Sequence, residues 1–173
     1  MKHRIWFVIL TYYPNKRRIA TLVRNLARHH VVVVDNTQDS DRKKYVPTDI
    51  VFTGDNLGYA GGMNRGMRYC FRRGAQWVIL LNDDLSFSSG SASQFVAKLE
   101  KIPHGVAGPF AGSFDPKRWS TILPARGSID YISGSMMAIH RDVWKYVGGF
   151  YEPYFMYYED ADLSIRTRKN GYK

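Results

Sequence analysis

Apolar residues come in short unbroken runs in the first half of this chain and in scattered, punctuated pieces in the second. The runs at 5–11, 31–34 and 77–81 are too short for helices and end at polar residues, which predicts strands covered on both faces of a sheet. Between the first two, Ile19, Leu22, Val23 and Leu26 recur at helical spacing behind Pro14 and Asn15, predicting an amphipathic helix with a basic start. Strand, helix and strand in that order argue for a parallel pair. A short third strand is predicted at 49–53, and the four glycines within 54–62 read as a loop whose backbone can approach a ligand. From Met63 the pattern turns helical again: Met63, Met67, Cys70 and Phe71 share one face, and Gly74 suits a C-terminal cap. After the central strand at 77–81 a serine-rich turn leads to a helix with Ala92, Phe95, Val96 and Leu99 inward, and 106–110 is a further strand.

The second half reads as shorter strands at 119–123, 128–132 and 136–139, then a brief helix at 141–147. Gly148-Gly149-Phe150 breaks the chain, and the aromatic-rich stretch 151–158 leads to a helix over 159–170 with acids in its first turn and bases in its last. These elements predict a single α/β domain over residues 1–173 with a mostly parallel central sheet, without repeat or linker.

Composition narrows the chemistry. A chain of 173 residues with 45% hydrophobic residues can bury one proper core. A net charge of +10 suits nucleic acid, an anionic membrane surface or small phosphorylated ligands. The bases are scattered over 16–18, 65–73 and 166–169 without an aromatic-interleaved module, so specific nucleic-acid binding ranks below phosphorylated ligands. The single cysteine, Cys70, cannot form an intrachain disulfide, and the apolar run at 5–10 meets Thr11-Tyr12-Tyr13-Pro14 without a cleavage site. Both point to the cytoplasm. No segment approaches the ~20 apolar residues of a membrane span, so any membrane contact would be peripheral, at the inner face.

In open α/β sheets ligands sit beyond the carboxyl ends of the strands. Asn82-Asp83-Asp84 falls there, and its three oxygen-bearing side chains suit a hard cation such as Mg2+ or Mn2+, or else an ordinary polar turn. Thr11 to Tyr13 and Asp35 end the first two strands and would face the same crevice. Asp35 can accept from the imide N–H of uracil or thymine, or cap the next turn. The glycine stretch could let backbone and Asn64 approach ribose and phosphates, but it carries no Walker signature. Residues 151–158 suit a sugar-stacking platform or a core cluster, and Glu159, Asp160 and Asp162 suit a helix cap.

Taken in order, Ile9-Leu10-Thr11-Tyr12-Tyr13-Pro14, Val33-Val34-Asp35-Asn36, Asn56-Leu57-Gly58 with Asn64-Arg65-Gly66, Leu80-Leu81-Asn82-Asp83-Asp84, Ser133-Gly134-Ser135, Gly148-Gly149-Phe150 and Tyr158-Glu159-Asp160-Ala161-Asp162-Leu163 to Arg166 resemble family-2 glycosyltransferases. The likeness is greatest to the bacterial rhamnosyl- and galactofuranosyl-transferase-like branch and runs from residue 5 to the last. It implies a GT-A fold, a three-layer sandwich, and inverting transfer from a UDP- or dTDP-sugar to a hydroxyl of a glycan or lipid-linked acceptor with Mg2+ or Mn2+. Under it Asp160 is the general base. Thr11, Tyr13, Asp35, Asn56, Gly58, Asn64 and Asp83 go to the nucleotide, and Asp84 with Asn82 to the metal. Asn82 in the first slot of the family's Asp-x-Asp costs a negative charge, which predicts weaker metal affinity. Gly134, Glu159, Asp162 and Arg166 go to the acceptor or to positioning, Asp162 pairing with Arg166 across one helical turn. Met63 stands where many relatives carry a base, beside Arg65. The resemblance divides the chain into a nucleotide-sugar half, 1–111, and an acceptor half, 112–173, expected to be cut short because relatives continue past Gly171. A catalytically silent nucleotide-sugar-binding domain, or a fragment of a longer transferase, is the alternative.

Overall fold

The computed structural model describes residues 4–38, 43–115, 120–122 and 129–172. The three apolar runs form strands β1 (Ile5–Thr11), β2 (His30–Asp35) and β4 (Trp77–Asn82), with β3 (Asp49–Phe52) preceding β4 in the chain. Helix α1 (Lys16–Asn25) joins β1 to β2, capped where the Asn15 side chain accepts the Arg18 N–H. Helix α2 (Gly58–Arg72) joins β3 to β4 and α3 (Ser89–Leu99) follows β4. Gly74 supplies the expected cap past α2, with φ +96°.

The chain continues through β5 (Val106–Ala107), β6 (Ala111–Asp115), β7 (Ser120–Ile122), β8 (Tyr131–Ile132) and β9 (Met136–His140). Helix α4 (Arg141–Tyr146), a 3-10 turn (Glu152–Tyr154) and helix α5 (Glu159–Lys169) complete it. The main sheet runs β3-β2-β1-β4-β9-β5, in which β3, β2, β1 and β4 are parallel and β9 pairs antiparallel with both neighbours. A small antiparallel sheet, β7-β6-β8, stands beside it.

Alternation along the strands builds the three layers. Trp6 and Val8 of β1 pack with Val32, Val34 and the α2 residues Met63, Met67 and Cys70, and Val143 of α4 and Leu163 of α5 close that side. Ile5, Phe7 and Ile9 point the other way, onto Ile19, Leu22 and Val23 of α1 and Ala92 and Leu99 of α3. Both faces are therefore dry, which is why these strands carry no polar alternation.

Two expectations need correction. Residues 58–62 are not a loop, because α2 begins at Gly58. Glycine serves there to let the helix lie close on the sheet: a β-carbon at Gly62 would stand 2.5 Å from Leu10 Cδ1, and one at Gly66 2.9 Å from Val34 Cγ2. The strand expected at 106–110 shrinks to Val106–Ala107, and β6 was not anticipated. In the two strands expected on either side of residue 125, positions 119, 123 and 128 lie outside the described residues; what is described there is β7 and β8.

Candidate active site

Parallel pairing brings the ends of β1, β2 and β4 to one edge, with Thr11 opposite Asp35 and Leu10 opposite Asn82. Because β9 is antiparallel, its beginning reaches that same edge: Leu81 pairs with Met136, and the Asn82 N–H donates to the Ser135 carbonyl at 3.2 Å. Residues 133–135, far along the chain, thus join a rim built by its first half.

Hydrogen bonds make the rim continuous. Thr11, buried at the end of β1, donates through Oγ1 to Asp83 Oδ2 at 2.7 Å. Next to it the Thr11 carbonyl accepts the Asn36 N–H at 2.9 Å. On the far side the Gly134 N–H donates to Asp160 Oδ2 at 2.8 Å, while Asp160 Oδ1 accepts the Ala161 N–H at 2.8 Å. The hydroxyl of Tyr59 donates to the Gly134 carbonyl, and a β-carbon on Gly134 would come within 3.0 Å of that hydroxyl. Gly134 is thereby clamped between α2 and α5, and it aims the Asp160 carboxylate. Asp35, Asp83 and Asp160 all stand along this one edge.

The first-half carboxylates differ in how they are held. Asp35 is 2% exposed, with Oδ1 accepting the Thr37 N–H at 2.9 Å and Oδ2 accepting the Tyr45 hydroxyl at 3.0 Å. The turn-capping alternative for Asp35 is thus realised, and the Tyr45 hydroxyl competes with any base imide for Oδ2. Burial first, and then the Asp35 charge, hold the Tyr45 phenol well above its usual pKa, so it stays a donor. Asp84 is exposed just past β4. Tyr13 is 63% exposed, with φ +50°, and its N–H meets Thr37 Oγ1 at 2.9 Å.

Asn56 Oδ1 accepts the Gly58 N–H at 3.1 Å, fixing the first turn of α2, and the Gly58 carbonyl accepts from Asn36 Nδ2 at 2.8 Å. Gly58 has φ +65° and lies against the Phe155 carbonyl, so only glycine fits. Asn64 is bound within the protein. It is 4% exposed, its Nδ2 donates to the Phe150 carbonyl at 2.8 Å and to Glu152 Oε1 at 3.0 Å, and its Oδ1 accepts the Phe150 N–H at 2.9 Å. These bonds tie α2 to the segment at residues 150–152.

Around Asp160 the surroundings are less settled. Glu159 is 5% exposed and its Oε2 lacks a hydrogen-bond partner; burial, with a smaller contribution from the Asp160 charge, pushes its pKa up to about 7. Asp162 and Arg166 form the expected pair, Nε to Oδ2 at 2.8 Å, and the same guanidinium donates to the carbonyls of Val147 and Gly149 at 3.0 and 2.8 Å. A cleft of about 440 Å³ opens between this pair and Phe150, Tyr151 and Tyr154. Residues 151–158 are exposed rather than core, and Phe155, Tyr157 and Tyr158 have φ of +58°, +72° and +67°. Bulky residues rarely accept that backbone, and such strain gathers at functional sites. Tyr45 and Tyr59 carried no local signal, since both act through partners distant in sequence.

For a cation, no group of three or more His, Cys, Asp or Glu side chains is gathered among the described residues. Asp84 and Asn82 fit the sparser pattern of Mg2+, which takes one or two protein oxygens and completes its shell from phosphate and water.

An α/β sheet of this order, with its ligand-facing rim at the ends of β1, β2 and β4 and one reversed strand beside them, is the GT-A class of fold. Residues 1–349 of Staphylococcus aureus TarS share it at a TM-score of 0.59 and 12% identity, over 95% of this chain and 55% of that one. The chain belongs to glycosyl transferase family 2, whose sequence profile matches residues 7–163. It is 31% identical over 172 residues to an uncharacterised protein of Mycobacterium tuberculosis, covering 87% of this chain and 62% of that protein. It is 27% identical over 218 residues to the N-acetylglucosaminyl-diphospho-decaprenol L-rhamnosyltransferase of the same species, covering 95% of this chain and 70% of that enzyme. The chain thus spans about 62% of the length of the first of these relatives.

Proposed function

We propose that this chain carries the donor site and the general base of an inverting glycosyltransferase that moves a sugar from a UDP- or dTDP-sugar to a hydroxyl of a glycan or lipid-linked acceptor. The observation that carries the reading is the unbroken rim from Asp35 through Thr11, Asp83 and Gly134 to Asp160. Residues 1–111 hold the nucleotide in this reading, and 112–173 serve the acceptor. Asp35 reads the base imide, with Thr11, Tyr13, Asn56, Gly58 and Asp83 around the nucleoside and phosphates. The printed name of the rhamnosyltransferase relative supports a deoxyhexose donor and a lipid-linked acceptor. A nucleotide sugar as donor also puts the reaction in the cytoplasm.

Asp160 takes the proton of the acceptor hydroxyl. The acceptor oxygen then bonds to the anomeric carbon as the bond from that carbon to the diphosphate oxygen breaks on the opposite face, which inverts the centre. Two N–H donors, from Gly134 and Ala161, orient the Asp160 carboxylate toward the acceptor. Asp162 and Arg166 position the turn at residues 147–149 and do not touch the reacting atoms. Asp84 and Asn82 would hold Mg2+ or Mn2+, which when bound offsets charge on the leaving diphosphate.

Calorimetric titration with UDP, dTDP and ADP, with and without Mn2+, tests the donor half. Pyrimidine-selective, metal-enhanced binding that is lost in Asp35→Asn is expected. Equal binding of ADP would sink the assignment of Asp35. Release of nucleoside diphosphate from a donor sugar, absent in Asp160→Asn, separates a working enzyme from a silent binding domain.

A further inference from the structure

Charge is shared unevenly between the two helical layers. Lys2, Arg4, Lys16, Arg17, Arg18, Arg24 and Arg28 all precede the first acid of the chain, Asp35. The five from Lys16 onward lie on α1 or in the turn just after it, and all are exposed. At ~100° per residue Arg17 and Arg24 fall along one stripe of α1, opposite the buried Ile19, Leu22 and Val23, and Arg28 follows in the exposed turn beyond the helix. Helix α3, on the same layer, contains no acid and adds Lys98, with Lys101 and Glu100 just past its end. Among the described residues the ion pairs fall elsewhere, at His140 with Asp142, Asp162 with Arg166 and Asp130 with Arg168. On the opposite layer α2 is also basic, with Arg65, Arg68 and Arg72 and no acid, but its neighbours supply both signs: Asp142 and Lys145 on α4, and on α5 Glu159, Asp160 and Asp162 at the start and Arg166, Arg168 and Lys169 at the end.

A helix face meant only for water gains by interspersing charges, because like charges one turn apart repel. We propose that the outer face of α1, continued by α3, docks on an anionic lipid bilayer. A broad layer of two helices presenting cations suits a plane of phosphate headgroups. A cavity of about 1110 Å³ opens at its far end beside Arg28 and Glu100, but α1 and α3 carry one aromatic between them, Phe95, and so no row of stacking rings for a nucleic acid strand. The surface also begins at the rim, since β1 runs through Tyr12 and Tyr13, 47% and 63% exposed, straight into α1. Tyrosine is favoured at the headgroup level of membranes. Docked by this face, the chain holds the edge of its site beside the bilayer. The inference does not depend on the proposed reaction, and its test uses no turnover.

The test is co-sedimentation with vesicles of phosphatidylcholine alone and of phosphatidylcholine mixed with phosphatidylglycerol. Binding only to the mixed vesicles, falling steeply with added salt, is expected. The triple variant Arg17→Gln, Arg24→Gln, Arg28→Gln should lose roughly a hundredfold in affinity with an unchanged melting temperature. A matched triple on the other layer, Arg65→Gln, Arg72→Gln, Arg73→Gln, should lose less than threefold. Equal losses in the two variants would mean that net charge alone attracts the chain, and would overturn the proposal. So would binding to phosphatidylcholine alone, absence of binding to either vesicle, or complete displacement from mixed vesicles by a short RNA.

Discussion

The two ends of the rim are built on different principles. At the proposed donor end Thr11, Asp35 and Asp83 sit on or beside parallel strands whose side chains are buried on both faces, and Asp35 has a partner on each oxygen. At the acceptor end Asp160 hangs from a few contacts between distant segments, beside a buried carboxyl oxygen with no partner and an exposed aromatic stretch with strained backbone. In our proposal the donor end is held by the sheet, and the acceptor end by a few hydrogen bonds between distant segments. Damage to the first should therefore appear in stability and nucleotide affinity, and damage to the second in turnover.

The largest separation comes from Asp160→Asn. Transfer should fall by about 10²- to 10⁴-fold, with the dissociation constant for nucleoside diphosphate unchanged within twofold. A matching loss of nucleotide affinity would erase the contrast. On the donor side Gly66→Ala drives a methyl against Val8 and Val34. It should cost about 2 kcal/mol and lower the melting temperature by roughly 4–8 °C, measured by thermal denaturation.

Tyr45→Phe is smaller and sharper. It removes the phenol that occupies Asp35 Oδ2. Affinity for UDP or dTDP should rise roughly tenfold while the free protein loses about 1 kcal/mol of stability. A fall in affinity would show that the tyrosine assists the base instead of competing with it.

The last effect is one of pH. Glu159 has its pKa raised from 4.5 to about 7 by burial, so the folded protein keeps a proton that the unfolded chain releases. Stability should fall as pH rises from 4.5 to 7 and level off above, the sign expected when the native state binds more protons. Glu159→Gln carries no charge in either state and should flatten that decline in a melting series across the window. If the variant keeps the wild-type slope, another group is titrating.

Much of the donor end was legible in the sequence because its signal is local. Unbroken apolar runs in β1, β2 and β4 can be little else, and the Asp162–Arg166 pair follows from helical geometry alone. The start of α2 was not legible. Glycine is a poor helix former, so 58–62 reads as loop until one sees that Phe155 at Gly58, Leu57 at Gly61 and Leu10 at Gly62 leave no space for β-carbons there. Nor could spacing show that Thr11 meets Asp83, 72 residues on, or that Tyr59 meets Gly134, 75 residues on. The same limit hid the protein partners of Asn64, which lie 86 and 88 residues away.

The reversed direction of β9 decides where this molecule tolerates changes of length. Its parallel neighbours meet the rim as they leave the sheet, whereas β9 meets it on the way in, with Met136 fixed opposite Leu81. A residue inserted ahead of Met136 would lengthen the tether that suspends Gly134 beneath Asp160, and could slacken the aim of the carboxylate while every strand kept its place.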